Sequence, residues 1–205
     1  MAVIKSSHPH KLIVLGKPGA GKSTLTHRVS RELGLRLIAI GNIARAAAAE
    51  GTTLGLRAAP YLMDMLLPAE LVGELLAREL ADPRVKEKGF LLDWTPRSIN
   101  DLENLCSIFA DYQMVPELAI YVQVSDAVVK KRILQHRAVM EKRISDTEEI
   151  VDERLRQFAG TAPQIIERIR QTEINYRMID GEKNHETVFQ SFMDCLDPVT
   201  ELGHR

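Results

Sequence analysis

The chain has 205 residues, of which 45% are hydrophobic and 27% charged, so it carries enough apolar material for the core of one domain. Its formal net charge of -1 gives no excess of basic residues and so no indication of a nucleic-acid partner. No apolar run approaches the roughly 20 residues that span a bilayer, and the N-terminal segment has neither a signal-peptide nor a transit-peptide pattern. We therefore predict a cytoplasmic protein with no membrane partner.

Cysteine usage agrees with this location. Cys106 and Cys195 alone cannot make a disulfide framework, and no CxxC pair or Cys/His quartet accompanies them. We expect a reducing compartment and do not predict a structural zinc site.

Short, almost continuously apolar runs alternate with helical patterns along the chain. Such runs are typical of strands covered on both faces, and the alternation predicts an α/β fold with a parallel sheet. The strands are predicted at 11–15, 35–40, 89–93, 117–124 and, as a weaker pattern, 174–180. The helices are predicted at 22–33, 42–50, 69–81, 98–110, 126–138, 147–172 and 184–196.

Two segments interrupt this alternation. Residues 42–81 are predicted to be helical throughout, and residues 138–146 form a short irregular insert between two predicted helices. We interpret both as small flaps on a single domain. Its core is then predicted to comprise 11–41, 82–137 and 147–200.

The segment GKPGAGKS, residues 16–23, fits the G-x-x-x-x-G-K-[ST] pattern, and it follows a predicted strand and precedes a predicted helix. Glycines allow the backbone to approach a polyphosphate and turn its N–H groups inward, and the helix N-terminus adds positive potential. Lys22 can reach the terminal phosphates, and the Ser23 hydroxyl can bind Mg²⁺. The pattern predicts ATP or GTP binding, with a plain glycine-rich turn as the alternative. The predicted ATP-binding residues here are Gly16, Pro18, Gly19, Ala20, Gly21, Lys22, Ser23 and Thr24.

Four later stretches resemble the adenylate kinase family of nucleoside monophosphate kinases in order and spacing. They are IGNIAR (40–45), EGTTLG (50–55), GFLLDWTPRS (89–98) and KRISDTEEIVDERL (142–155). The resemblance implies a three-layer P-loop NTPase fold with a five-stranded parallel sheet. It further implies an acceptor-binding flap at about 42–81 and a short lid at about 138–146.

The same resemblance implies an activity. A monomeric enzyme would transfer the γ-phosphoryl group of ATP, with Mg²⁺ as cofactor, to a nucleoside monophosphate, with AMP as the default acceptor. Two alternatives stay open: the same fold acting on another phosphate-bearing acceptor, and a catalytically weak nucleotide-binding regulator.

The resemblance assigns two arginines to the acceptor phosphate. Arg97 matches the arginine that clamps this phosphate, and Arg45 matches one that grips it from the flap. A guanidinium offers paired N–H bonds that suit phosphate oxygens. The alternative is that each is a solvated or salt-bridged surface residue.

Further basic residues match the donor side and the lid. Arg132 matches an arginine that packs on the ATP base, and Arg143 and Arg154 match two that close over the transferred group. One more lid arginine is expected about four residues after Arg132, and we choose Arg137, with His136 as its rival. The alternative for this cluster is a solvated amphipathic helix with i,i+4 ion pairs.

Asp93 ends an apolar strand, where open α/β sheets place their ligand crevice. The resemblance implies that it supports Mg²⁺ through water, and a carboxylate suits a hard cation. Capping the next turn is its alternative role. The predicted metal residues are Ser23 and Asp93.

The positions that would contact the acceptor base depart from the family pattern. Ile40 replaces a threonine, Trp94 replaces a glycine, and Asp101 replaces a glutamine that reads adenine. A carboxylate only accepts hydrogen bonds, so Asp101 suits a base edge with two donors, such as that of guanine. We hypothesise a working kinase with an altered acceptor, while Trp94 packing beneath the flap with AMP still bound remains the alternative. The predicted acceptor-binding residues are Ile40, Gly41, Arg45, Leu67, Trp94, Arg97 and Asp101.

Overall fold

The computed structural model describes residues 9–62, 67–94, 96, 98–139 and 148–196, with side chains omitted for 135–139. The strands are β1 (Lys11–Gly16), β2 (Arg36–Ile38), β3 (Phe90–Asp93), β4 (Leu118–Gln123) and β5 (Asn175–Asp180). They form one parallel sheet in the order β2-β3-β1-β4-β5. The five predicted strands and the predicted fold class are therefore confirmed.

All seven predicted helices have counterparts in the structure, and two short helices were not predicted. A single-turn 3₁₀ helix, Ala59–Tyr61, is also present. The helices are α1 (Lys22–Leu33), α2 (Ile40–Ala49), α3 (Thr53–Ala58), α4 (Ala69–Leu80), α5 (Pro83–Lys88), α6 (Ile99–Asp111), α7 (Asp126–Val139), α8 (Glu148–Arg170) and α9 (His185–Asp194).

The prediction that 42–81 is helical throughout is wrong. Gly51 adopts φ +67° after α2, a conformation that L side chains rarely adopt, and it interrupts the helix. Thr52 then caps α3, because its Oγ1 accepts a hydrogen bond from Gly55 N at 3.1 Å. A Cβ added at Gly55 would overlap the backbone of Ala47, so α2 and α3 cross in backbone contact.

The second unpredicted helix, α5, has a clear local signal. Asp82 caps it by accepting a hydrogen bond from Arg84 N at 2.9 Å, and Pro83 occupies the first helical position. The pair Asp-Pro before a short basic run therefore begins a helix between α4 and β3.

The two faces of the sheet bury separate cores, because alternate side chains of a strand point to opposite sides. Ile13 and Leu15 of β1 belong to one cluster, which also contains residues of α2, α4 and α6 and is called here the flap-side core. Leu12 and Val14 belong to the other, which contains residues of α1 and α9 and is called the loop-side core. Helices thus cover both faces of the sheet.

Strand order brings three chain segments together at one edge of the sheet. In the parallel registers, Val14 lies opposite Asp93 and Gly16 lies opposite Val122. The chain leaves β1 towards the β2 edge and leaves β4 towards the β5 edge, so a crevice forms outside the carboxyl ends of β1 and β4. Among the helices within the described ranges, none is both long enough and apolar enough to cross a membrane.

Candidate active site

The glycine-rich loop connects β1 with α1 at this crevice. A Cβ at Gly16 would lie 2.8 Å from the carbonyl oxygen of Val122, so only glycine permits this approach to β4. Gly21 adopts φ +89° and is the N-cap of α1. Because Gly21 has no side chain, it cannot accept hydrogen bonds from the backbone N–H groups in the first turn of α1. These N–H groups are directed towards the loop. The loop therefore has the backbone of an anion-binding site.

Lys22, the first residue of α1, folds back over this loop. Its Nζ donates hydrogen bonds to the carbonyl oxygens of Gly16 at 2.8 Å and Lys17 at 2.9 Å. Burial lowers the pKa of Lys22, and the nearby Asp93 carboxylate raises it by a smaller amount. The ammonium group thus lies at the centre of the loop, within reach of anionic oxygens.

Ser23 and Asp93, the two predicted metal residues, are brought together. Ser23 Oγ donates a hydrogen bond to Asp93 Oδ2 at 2.9 Å, across a sequence separation of 70 residues. A hydroxyl and a carboxylate beside a phosphate-binding loop form an oxygen donor set that fits a hard cation such as Mg²⁺. That either residue binds a metal stays a prediction.

A third residue of this group was not predicted. Thr26 Oγ1 lies 3.2 Å from Asp93 Oδ2 and 3.1 Å from the carbonyl oxygen of Ser23. Its side chain is buried, with 0% exposure. A threonine one helical turn after the loop serine is a usable signal, because residues three apart on a helix are neighbours.

Arg132 of α7 contacts the loop from the other side. Its guanidinium donates hydrogen bonds to the carbonyl oxygens of Ala20 at 3.1 Å and Gly181 at 2.8 Å. Lys17 Nζ also pairs with Asp126 Oδ1, the first residue of α7, at 2.5 Å. Helix α7 is therefore attached to the loop at two points.

A cleft opens beside Arg132, between α1 and the start of α9. The guanidinium of Arg28 lies 3.7 Å above the ring centroid of Phe189, and both side chains line this cleft. The sequence did not predict Arg28 or the α9 residues that line this cleft. Contacts between residues so far apart in the sequence leave no local pattern. That Arg132 packs on the ATP base remains a prediction, which its place in this lining supports.

The predicted acceptor residues of the flap lie on or near α2. Ile40 is the first residue of α2, not the end of β2 as predicted, and its side chain is 1% exposed within the flap-side core. Arg45 donates from Nη2 to Asn42 Oδ1 at 2.6 Å, and its guanidinium lies over Gly41. Leu67 precedes α4 and is partly buried against the same core.

Trp94 and Asp101 follow β3 on the acceptor side. The half-buried indole of Trp94 packs against the flap-side core, which contains residues of the flap helices. Asp101 N donates to Ser98 Oγ at 3.0 Å, which caps α6. A carboxylate in the first turn of a helix is favourable, so Asp101 has a structural reason for its charge that is independent of a base.

The structure says little about the predicted lid. Arg97 and Arg143 lie outside the described residues, as does most of 138–146, and the side chains of His136 and Arg137 are likewise not described. Arg154 is partly buried on α8. Helix α7 meets α8 through an ion pair between Lys130 and Asp152 at 2.5 Å. The roles of these arginines and of the lid therefore stay predictions.

The sheet order and the glycine-rich loop after the central strand, with its lysine and hydroxyl, define a class of protein: a P-loop enzyme that handles nucleotide phosphates. The sequence model of the adenylate kinase family matches residues 14–174.

Individual relatives agree with the family match. An adenylate kinase from Archaeoglobus fulgidus is 31% identical, and the match covers 92% of this chain and 98% of the relative. Adenylate kinases from Corynebacterium glutamicum strain R (34% identical, covering 76% and 83%) and Leptospira biflexa (30% identical, covering 91% and 99%) are also similar. The chain belongs to the adenylate kinase family. It is a phosphotransferase that uses ATP and acts on a nucleoside monophosphate.

Proposed function

We propose that the protein transfers the γ-phosphoryl group of Mg²⁺-ATP to AMP, with ADP as both products. The observation that carries this proposal is the extent of the match to a relative named adenylate kinase, which covers 92% of this chain and 98% of the relative. The contact between Ser23 and Asp93 beside Lys22 supports the ATP side of the proposal independently, because it brings oxygen donors that suit Mg²⁺ next to the glycine-rich loop.

The loop would bind the terminal phosphates of ATP. N–H groups at the start of α1 and the Lys22 ammonium are fixed donors aimed at one small volume, and fixed donors stabilise developing negative charge without reorganisation. Lys22 Nζ would exchange its bonds to the Gly16 and Lys17 carbonyls for phosphate oxygens. The Lys22 ammonium would then stabilise the negative charge on the transferred phosphoryl group.

Ser23 and Asp93 would hold Mg²⁺, Asp93 through water. When bound, the ion neutralises charge on the phosphate oxygens of ATP. The hydrogen bond of 2.9 Å between the two side chains brings both oxygens to one place beside the loop.

No general base is required on the acceptor side, since the attacking oxygen of a phosphate group is already anionic. Catalysis then depends on positioning and on charge stabilisation. Arg45 and Arg97 would bind the acceptor phosphate. The lid residues Arg143, Arg154 and Arg137, or His136 in place of the last, would surround the transferred group and exclude water.

The decisive experiment presents the protein with Mg²⁺-ATP and a panel of AMP, GMP, CMP, UMP and deoxynucleoside monophosphates. Release of ADP and the mass of the product are followed together. We expect AMP to give the highest kcat/KM. No turnover on any member, with ATP binding intact, would contradict the assignment and favour the regulator.

A second candidate acceptor rests on Trp94 and Asp101. The Asp101 carboxylate can accept from two donors of a base edge, which guanine presents and adenine does not. The cap formed with Ser98 and the packing of Trp94 explain both residues without a base, and for this reason we keep AMP first. A higher kcat/KM for GMP than for AMP in the same panel would reverse this order.

A further inference from the structure

Two buried polar side chains within the described residues lie on α1, and only one of them contacts the site. Thr26 and Ser30 each lie within hydrogen-bond distance of the carbonyl oxygen three residues earlier, both at 3.1 Å. Such a bond is common for helical Ser and Thr and indicates no function. Thr26 differs because Oγ1 also lies 3.2 Å from Asp93 Oδ2.

Ser23 and Thr26 therefore converge on one carboxylate oxygen, at 2.9 and 3.2 Å. Ser23 is exposed in the first turn, where its χ1 can change as phosphates enter. Thr26 is fully buried and β-branched, so its χ1 is restricted and its hydroxyl keeps its place. Of the two donors, Thr26 is the one whose position does not depend on the nucleotide.

We propose that Thr26 is a positioning residue for metal binding. By holding Oδ2 of Asp93, its hydroxyl would fix the rotamer of the carboxylate and leave Oδ1 available to support Mg²⁺. Partners of this kind fix the orientation of metal-binding carboxylates, and their loss typically lowers metal affinity or activity about 10- to 100-fold. The inference rests on the proposed function, since it takes Asp93 as the support of Mg²⁺.

The test measures equilibrium binding by calorimetry with a non-hydrolysable ATP analogue, with and without Mg²⁺. Thr26→Val keeps the shape of the side chain and removes the hydroxyl. We expect its affinity for the metal-free analogue to equal that of the unmodified protein, and the gain in affinity on adding Mg²⁺ to fall by about tenfold or more. Thr26→Ser restores a hydroxyl at the same place and should restore the gain.

Ser30→Ala is the matched control, because it removes the other buried hydroxyl of α1 with its backbone bond and leaves Asp93 untouched. It should bind as the unmodified protein does. Thr26→Ala carries the same expectation as the valine variant and replaces it if thermal unfolding shows that valine disrupts the fold.

Two outcomes would overturn the inference. In one, the Thr26 variants keep the full Mg²⁺-dependent gain. In the other, they lose affinity equally with and without Mg²⁺, as a general loosening of α1 would cause. Failure of the proposed function gives a different result: the unmodified protein does not phosphorylate AMP, whatever the calorimetry shows.

Discussion

The donor side of the site and the predicted acceptor side use different elements of the fold. On the donor side, hydrogen bonds join residues far apart in sequence, as from Ser23 to Asp93 and from Arg132 to Ala20. On the acceptor side, Arg45 bonds Asn42 and Asp101 bonds Ser98, each only three residues away. Strand register therefore sets the donor geometry, and local helix structure contributes to the positions of Arg45 and Asp101 on the predicted acceptor side.

The largest expected effect comes from the centre of the donor side. Lys22→Met removes the charge that we propose faces the terminal phosphates. We expect turnover to fall on the order of a thousandfold, because one fixed donor to a developing charge has an effect of this size. Release of ADP under saturating substrates measures it.

Lys17→Met is the control within the same loop. It breaks the ion pair with Asp126 and leaves the Lys22 ammonium in place, so its effect should be far smaller. Equal losses in the two variants would contradict a special role for Lys22.

The next effect belongs to the acceptor side. We expect Arg97→Ala to lower kcat/KM for AMP on the order of 100- to 1000-fold, by removal of paired bonds to the acceptor phosphate. The affinity for ATP should barely change, and titration with ATP alone measures it. Arg84→Ala, which removes an exposed arginine paired with Asp82, serves as control. A parallel loss of ATP affinity in the Arg97 variant would remove the distinction between the two sides.

The pH dependence should also separate the two sides. Burial lowers the pKa of Lys22 below its ordinary value of 10.5, so the charged form is lost at a lower pH than for an exposed lysine. The guanidinium groups of the acceptor side stay charged throughout this range. We expect kcat/KM for ATP, which reports the free enzyme, to fall with rising pH through a midpoint below 10.5.

Lys22→Arg tests the origin of this decline. It keeps a positive charge at all these pH values, so its residual kcat/KM should lack the alkaline decline. Persistence of the same midpoint in this variant would assign the titration to another group.

The smallest expected effect concerns acceptor choice. Asp101→Gln should shift the ratio of kcat/KM for AMP over GMP towards AMP by about fivefold, the effect of one hydrogen bond worth about 1 kcal/mol. The cap to Ser98 uses the backbone N–H of residue 101 and is retained. Glu103→Gln serves as the control, because it makes the same change of charge on the same helix at an exposed position. The Oε1 atom of Glu103 lies 3.5 Å from Nη2 of Arg168. An unchanged ratio, or an equal shift in both variants, would place Asp101 outside the acceptor pocket.

The sequence could predict the features that depend on contiguous residues better than those that depend on contacts between distant segments. Strands β1, β3 and β4 were predictable because each is an almost continuous apolar run that is largely buried, whereas the edge strand β5 is mostly exposed and gave a weaker pattern. The loop was predictable because its residues are contiguous. Ser23 and Asp93 could be paired as one metal site because each adjoins the carboxyl end of a strand of the same parallel sheet. Thr26 was missed, although its place one helical turn after Ser23 was a usable signal.

Other features required three-dimensional information or were overlooked locally. Ile40 was assigned to a strand, since an apolar run does not reveal that the chain turns into a helix after Ile38. Phe189 lines the cleft beside Arg132 because α9 packs on α1. By contrast, Gly51 and the pair Asp82-Pro83 are ordinary local signals for the end of α2 and the beginning of α5.

The crossing of α2 and α3 at Gly55 has a consequence for evolution of the acceptor side. Because the two backbones touch there, no side chain larger than hydrogen fits without separating the helices. Arg45 lies on α2, so a substitution at residue 55 would displace the guanidinium without contacting any substrate. Under the proposed role of Arg45, genetic variation that alters acceptor binding can therefore arise at Gly55, which lies on a different helix.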